Sequence, residues 1–260
     1  MVVGYNEASL LEACLQSINF CDEIFYTDLG SKDNSIKIAE QYNATIYRRD
    51  RANVPSCEMV QTEVVHYTKH NWVIFIDPDE VVDKDLQKQI INKFNQISSS
   101  EVIGAVTVPW QFYFKKKKLL GTVWGGSNKK YFLVNKHRFD FLPIIHYGRI
   151  LKKEFIFYDI VENKNQTNVI HHYWMNSFKV FLQKHMRYLK NEGKDNYNAG
   201  ARVGIKKVFF TPFKAFKESF INKQGYKDGL TGLFLSSFWA YYKTHIVLDI
   251  FRIQKQKNKQ

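Results

Sequence analysis

Residues 72–80 read WVIFIDPDE, five apolar positions running without a break into Asp77, Pro78, Asp79 and Glu80. An unbroken apolar run of this length reads as a strand covered on both faces, the habit of parallel sheets in α/β proteins. Burying a carboxylate is costly unless it is paired or holds a cation, so a strand that ends in acids has to end where they have a use. In open parallel sheets that place is the crevice at the carboxyl ends of the strands, where ligands bind. Pro78 fixes the backbone between Asp77 and Asp79, and both carboxylates can face one crevice. Hard oxygen donors of this kind suit Mg²⁺ or Mn²⁺, which bind through one or two carboxylates together with substrate phosphates. The plain alternative for the acids is a helix cap and a surface turn.

Working outward, the first half of the chain alternates strands and helices. Met1 to Tyr5 reads as a short strand and Asn6 as an N-cap, with Leu10, Leu11, Cys14, Leu15 and Ile18 on one helical face. EIFYTD (23–28) is a second strand, GSKDNS turns into a helix around Ile36 and Ala39, and ATIY (44–47) is a third strand. Asp28 also closes a strand; Gly30 allows a tight turn after it and Asp33 can cap the next helix. A carboxylate there can accept from a base or ribose, or simply belong to an ordinary strand-to-helix turn. Residues 56 to 69 read as helix, Asp83 caps another with Leu86, Ile90, Ile91, Phe94 and Ile97 inward, and VIGAVTV (102–108) is again a strand. This order predicts an α/β fold with a mostly parallel sheet covered by helices on both faces.

Residues 110–175 carry many aromatics, short strand-like runs and the basic run KKKK (115–118), which predicts a β-rich section completing a cleft. From Asn176 the pattern is helical. Phe178, Phe181, Leu182, Met186 and Leu189 make one stripe that Gly193 is expected to stop, Thr211-Pro212 starts a second helix ending near Gly225, and Asp228 opens a third. The tail RIQKQKNKQ is expected to fray.

Composition narrows the partners. Lys plus Arg number 38 against 25 Asp plus Glu, a net charge of +13, which predicts attraction to phosphate as nucleotide, nucleic acid or anionic lipid. Residues 203–260 hold 11 of those cations against three acids, interleaved with Phe209, Phe210, Phe213, Phe216, Phe220, Trp239, Tyr241 and Tyr242. Amphipathic basic segments of this kind suit an anionic membrane surface; a solvated basic face over an aromatic core is the alternative. No nucleic-acid-binding motif accompanies the charge, and the acid cluster would repel a phosphate backbone, so nucleic acid is set aside. Three unclustered cysteines point to a reducing compartment without structural zinc. The opening MVVGYNEA carries no signal-peptide pattern, and the most apolar stretch, 230–251, is interrupted by Lys243, His245 and Asp249. The expected location is cytoplasmic, peripheral on the inner face of the cytoplasmic membrane.

Three segments together carry a family resemblance: VVGYNEASLLEACLQSI, CDEIFYTDLGSKDNSIKIAEQYNATIY and NWVIFIDPDEVVDKDL. Asn6-Glu7 after the first strand, Asp28-Leu29-Gly30-Ser31-Lys32-Asp33 after the second and Asp77-Pro78-Asp79-Glu80 at the central strand resemble, in order and spacing, glycosyltransferase family 2 with its GT-A fold. Segments 125–136, 171–193 and 211–232 resemble the subgroup of bacterial lipopolysaccharide-core glucosyltransferases. The resemblance implies a nucleotide-sugar-binding α/β half over 1–109, an acceptor-side section over 110–175 and a helical basic-aromatic extension over 176–260. It implies that Tyr5, Glu7 and Asp28 hold the nucleotide base, that Asp77 contacts ribose or metal, and that Asp79 binds the metal that neutralises the diphosphate of a nucleotide-sugar donor such as a UDP-hexose. Lys129 and Lys130 stand where basic residues touch diphosphate. An inverting transfer to a glycan or glycolipid acceptor also needs a base. In YDIVENK (158–164) Glu162 aligns with the family's Glu, Val161 stands in place of the expected His, and Asp159 is the local alternative. The helix before the central strand, VPSCEMVQTEVV (54–65), lacks the family's basic residue, a role Arg48, Arg49 or Arg51 could take. His171-His172 is expected to contact phosphate or acceptor. The first strand is short, starting at Met1. These departures support an alternative function, a catalytically weak or silent relative that binds at the membrane.

Overall fold

The structure, a computed structural model, describes residues 1–51, 57–126, 128–142 and 148–257. They form two compact units, one of Met1–Trp110 with Lys129–His172 and one of Gln111–Asn128 with Tyr173–Gln260.

In the first unit β1 (Val2–Gly4), β2 (Phe25–Asp28) and β3 (Thr45–Arg48) pair in parallel, with Gly4 opposite Asp28 and Asp28 opposite Arg48. Helices α1 (Ala8–Ser17) and α2 (Ser35–Gln41) connect them; α3 (Cys57–Val64) follows β3 and leads to β4 (Trp72–Ile74). The Met1 amine donates to the Ile74 carbonyl at 2.7 Å and the Ile76 amide donates to the Met1 carbonyl at 3.3 Å, a pattern of parallel neighbours. The continuous apolar reading of these strands has a direct cause. Val2, Ile74 and Ile76 enter one core with Leu11, Leu15, Leu86 and Ile90, whereas Val3, Val73 and Phe75 enter another with Val60 and Val64. Successive side chains point to opposite faces and both faces are covered, so no position is left polar.

Beyond β4 the sheet is mixed. β5 (Glu80–Val82), α4 (Lys84–Ser98), β6 (Ile103–Phe114), β7 (Lys117–Lys118) and β8 (Asn128–Asn135) come next, then β9 (Phe139–Phe141), β10 (Arg149–Leu151), β11 (Ile156–Asp159) and β12 (Ile170–Met175). The strand order is β4-β8-β6-β12-β5, with β7 and β11 also on β6 and with β9 and β10 forming a separate pair. β8 lies antiparallel to β4 and β12 antiparallel to β5, with His172 opposite Glu80.

The second unit holds α5 (Phe178–Asn198), α6 (Ile205–Phe216) and α7 (Gly229–Lys257). Three expectations for it change. Gly193 does not stop α5: it is buried, and a Cβ there would lie 2.5 Å from the Asp249 Cβ of α7, so the glycine serves close helix approach. Pro212 lies inside α6 rather than at its start. The helix begins at Ile205, and next to the proline the Thr211 hydroxyl donates to the Lys207 carbonyl at 2.6 Å. The tail is helical to Lys257, held by Gln254, which accepts from the Val203 amide at 2.7 Å and donates to its carbonyl at 3.1 Å; residues 258–260 of that expected frayed tail lie outside the described residues. Among the described residues no helix is long and apolar enough to cross a membrane.

KKKK (115–118) forms a tight hairpin. Phe114 pairs with Lys117, and Lys115 and Lys116 both have positive φ, 50° and 65°. A two-residue turn with both positions left-handed favours Asn-Gly, and each lysine there costs about 1–2 kcal/mol. Lys115→Asn with Lys116→Gly is expected to raise Tm by roughly 2–6 °C, measured by circular dichroism. An unchanged or lower Tm contradicts this assignment.

Candidate active site

Two loops meet at the carboxyl ends of β1 and β2. Asn6 adopts the left-handed region, φ 55°, which asparagine tolerates, so it does not cap α1 as expected. Its Oδ1 accepts instead from the Lys32 amide at 2.8 Å, and its own amide donates to Ser31 Oγ at 2.9 Å. Glu7 is the α1 N-cap residue and makes no side-chain cap bond; its amide donates to Ser35 Oγ at 3.0 Å. Asp33 joins the loops, accepting from the Ala8 amide and the Ser35 amide, both at 3.0 Å. Asp28 is 1% exposed, and its carboxylate accepts from the Gly30 and Ser31 amides at 3.0 Å each. These bonds place Asp28 in the strand-to-helix turn that was the alternative to a base or ribose contact. Tyr5 stands beside this turn with the Arg51 guanidinium 4.0 Å over its ring.

The acids after β4 gather a second group. The Asp77 amide donates to Glu80 Oε2 at 2.8 Å and the Glu80 amide donates to the Asp77 carbonyl at 3.0 Å, which closes the turn. Gln61 of α3, where the family's basic residue was missed, donates to Asp77 Oδ1 at 3.4 Å. Residues 54–56 of that segment lie outside the described residues. A Cβ on Gly4 would lie 3.3 Å from Pro78 Cγ, so this turn packs on the end of β1, next to the first loop pair.

Glu80 is fully buried and Lys130 nearly so, and Lys130 Nζ donates to Glu80 Oε2. Asp77 Oδ2 lies 3.7 Å from the same ammonium, which sits 5.2 Å over the Trp110 ring. Burial pushes the Glu80 carboxyl up against the pull of Lys130. Burial also works against the Lys130 ammonium, but Glu80 and Asp77 outweigh it and hold its pKa above the ordinary lysine value. The ammonium therefore stays charged and offsets part of the cost of burying Glu80. Lys130, expected at the diphosphate, has Glu80 and Asp77 as its partners here.

Asp79 meets a residue that sequence order hides. His172 Nε2 lies 3.3 Å from Asp79 Oδ2, and the imidazole stacks on Trp110 at 5.1 Å and 6°. The β5–β12 register, which sets His172 opposite Glu80, produces this meeting. Burial lowers the His172 pKa, yet Asp79, with Glu80 and Asp77, raises it above the usual histidine value. The side chains of Asp77 and Asp79 are 36% and 22% exposed, half-buried with an open side. His171 turns instead to Asp83, at 3.1 Å.

Other expected residues have partners of their own. Lys129 pairs with Asp159, which also accepts from Thr107 Oγ1 at 2.7 Å. The Lys129 and Thr107 hydrogen bonds hold Asp159 below the usual carboxylate range, which makes it a weaker base. Arg49 pairs with Glu63 at 2.7 Å, and Arg48 is exposed at the end of β3. Glu162 is half-buried in the loop between β11 and β12. That loop is tied to α4 by Thr167 Oγ1 donating to Asp85 at 2.7 Å and Asn168 Nδ2 donating to Gln89 at 3.1 Å.

The donor set can be weighed for a divalent cation. Among the described residues no three His, Cys, Asp or Glu converge as a cage. The exposed sides of the Asp79 and Asp77 carboxylates suit a cation that takes only one or two ligands from protein and the rest of its shell from substrate phosphate and water.

Comparison with known proteins decides the family. The sequence model described as Glycosyl transferase family 2 matches residues 1–203. The chain belongs to glycosyltransferase family 2. A relative within the curated proteins, an uncharacterized glycosyltransferase of Rickettsia bellii (strain RML369-C), is 28% identical over 90 residues, which span 34% of this chain and 30% of that one. Among solved structures, glucosyl-3-phosphoglycerate synthase from Mycobacterium tuberculosis, in complex with Mn²⁺, UDP and glucosyl-3-phosphoglycerate, is similar at 20% identity and TM-score 0.34, covering 43% of this chain and 42% of that one. A mycobacterial protein is similar at 14% identity and TM-score 0.40, covering 67% and 64%. At TM-scores this low these likenesses fix no residue role. In this family 2 member, the three segments that carried the sequence resemblance line the β1, β2 and β4 ends described above.

Proposed function

We propose that the protein transfers a sugar, with inversion, from a nucleotide-diphosphate donor to a hydroxyl of a saccharide or lipid-linked acceptor. The observation that carries this reading is the half-buried Asp79, paired with His172 and two residues from Asp77 on a turn whose Pro78 packs against the β1 end, in a family 2 chain. Asp79 and Asp77 would hold Mg²⁺ or Mn²⁺ there, with His172 orienting Asp79 or joining it as a ligand. A bound cation supplies neutralisation of the diphosphate as it leaves. The Tyr5–Glu7–Asp28 end of the sheet binds the nucleotide; Asp28 acts by shaping the turn, since its carboxylate already takes the Gly30 and Ser31 amides. Glu162 takes the acceptor hydroxyl's proton on the face opposite the leaving group. UDP-hexose is the donor class, bacterial lipopolysaccharide core or capsule synthesis the setting, and the inner face of the cytoplasmic membrane the location.

One observation favours a donor-binding relative without transfer: Lys130 already shares Glu80 and Asp77 as an internal cation. Screening nucleotide sugars by thermal shift with and without Mn²⁺ separates the readings from a chain of another activity. The transferase reading expects a shift of several degrees for one nucleotide class that depends on Mn²⁺, and hydrolysis or transfer of that donor. A shift with no turnover supports the silent relative, and no shift with any nucleotide sugar contradicts both.

A further inference from the structure

α6 has one covered side and one bare one. Ala215 is buried and Val208, Pro212 and Phe216 half-buried on the covered side. On the other, Phe209, Phe210 and Phe213 are 70%, 57% and 75% exposed, with Ile205 exposed beside them. Ile205, Phe209 and Phe213 are spaced four apart and so make one stripe. Lys206, Lys207, Lys214 and Lys217 are exposed along the same outer half, and no acid occurs between Ala201 and Lys217. The segment that follows exposes Ile221 and Tyr226 together with Lys223 and Lys227, and the start of α7 exposes Leu230.

A merely solvated basic helix gains nothing from bare phenyl rings. A protein partner suits the rings but not the lysines, which are depleted in interface cores. The headgroup layer of an anionic bilayer takes both. The rings rest at the acyl boundary, while each lysine lays its stem along them and carries its ammonium to lipid phosphate. We propose that the outer face of α6 docks on an anionic lipid surface, with Phe209, Phe210 and Phe213 at headgroup depth and Lys206, Lys207, Lys214 and Lys217 on the phosphates. This deepens the membrane part of the proposed function, but it rests on different residues and is read without donor or acceptor.

The test uses the full chain and flotation with vesicles of phosphatidylcholine, alone or with about a third phosphatidylglycerol. Expected is partitioning to the anionic vesicles that weakens with salt. It should fall at least about tenfold in Phe209→Ala/Phe210→Ala/Phe213→Ala, while Lys206→Gln/Lys207→Gln/Lys214→Gln/Lys217→Gln loses the preference for anionic lipid. Phe210→Trp is expected to blue-shift on these vesicles and to be quenched by brominated acyl chains. Equal partitioning of the triple Phe variant and the parent overturns the proposal, as does absence of binding to anionic vesicles. A dimer of the parent that the triple variant abolishes, without vesicle binding, assigns the face to a second copy and overturns it too. Mn²⁺-dependent nucleotide thermal shifts in the same variants separate failure of this surface from failure of the transferase reading.

Discussion

Replacing Asp79 by alanine is expected to lower sugar transfer by about 10²–10³-fold or more, the usual loss when one group stabilising a developing charge is removed. Asp79 is half-buried, and its described partner is the His172 imidazole. Its removal therefore leaves the sheet and the Glu80–Lys130 pair in place, so Tm should move by only a few degrees. The loss should appear in kcat, with a weaker response to added Mn²⁺, because the carboxylate matters most as negative charge leaves with the diphosphate. His172→Ala is expected to give a smaller loss in the same direction. Transfer by Asp79→Ala at the parent rate, in a folded protein, removes the carboxylate from the chemistry altogether.

Lys130→Met should act on stability first. Glu80 is fully buried and Lys130 nearly so, and removing one partner of a buried pair costs about 3–5 kcal/mol because the other charge is left uncompensated. For a chain of this size that is a fall in Tm on the order of 10 °C. The sign of the pH dependence follows from burial. Burial already raises the folded-state pKa of Glu80 in the parent against the pull of Lys130, and losing Lys130 raises it further, so the folded variant takes up a proton more readily. Its deficit relative to the parent should shrink as pH falls from about 7 towards 5. Glu80→Gln/Lys130→Met should recover most of the loss. A Lys130→Met protein as stable as the parent at neutral pH, measured by urea unfolding, contradicts the assignment of Lys130 to Glu80.

Much of this was legible in the sequence, and the limits are physical. WVIFI reads as a doubly covered strand because Val73 and Phe75 do enter one core and Ile74 and Ile76 the other. The Asp28 and Asp77–Glu80 turns are legible because a strand end followed by Gly or Pro and acids is a local signal. Their partners are not local. His172 reaches Asp79 only through the β5–β12 register, some ninety residues apart in sequence, and His-His before a helix carries no sign of that pairing. Lys130 was expected at the donor diphosphate, and its pairing with Glu80 could not be foreseen because it depends on β8 lying beside β4 and β6. Gly193 and Pro212 misled for the opposite reason. Each is a strong local breaker, and each was overridden by tertiary context: Gly193 admits α7, and α6 carries Pro212 within it.

On this reading the acids closing β4 bind a nucleoside diphosphate together with a divalent cation. Calorimetric titration of UDP into the protein, with and without Mn²⁺, tests it most directly. Binding that is at least about tenfold tighter with Mn²⁺, and that loses this gain in Asp79→Ala, is the predicted result. UDP affinity that is the same with and without Mn²⁺, or a gain that survives Asp79→Ala, contradicts it.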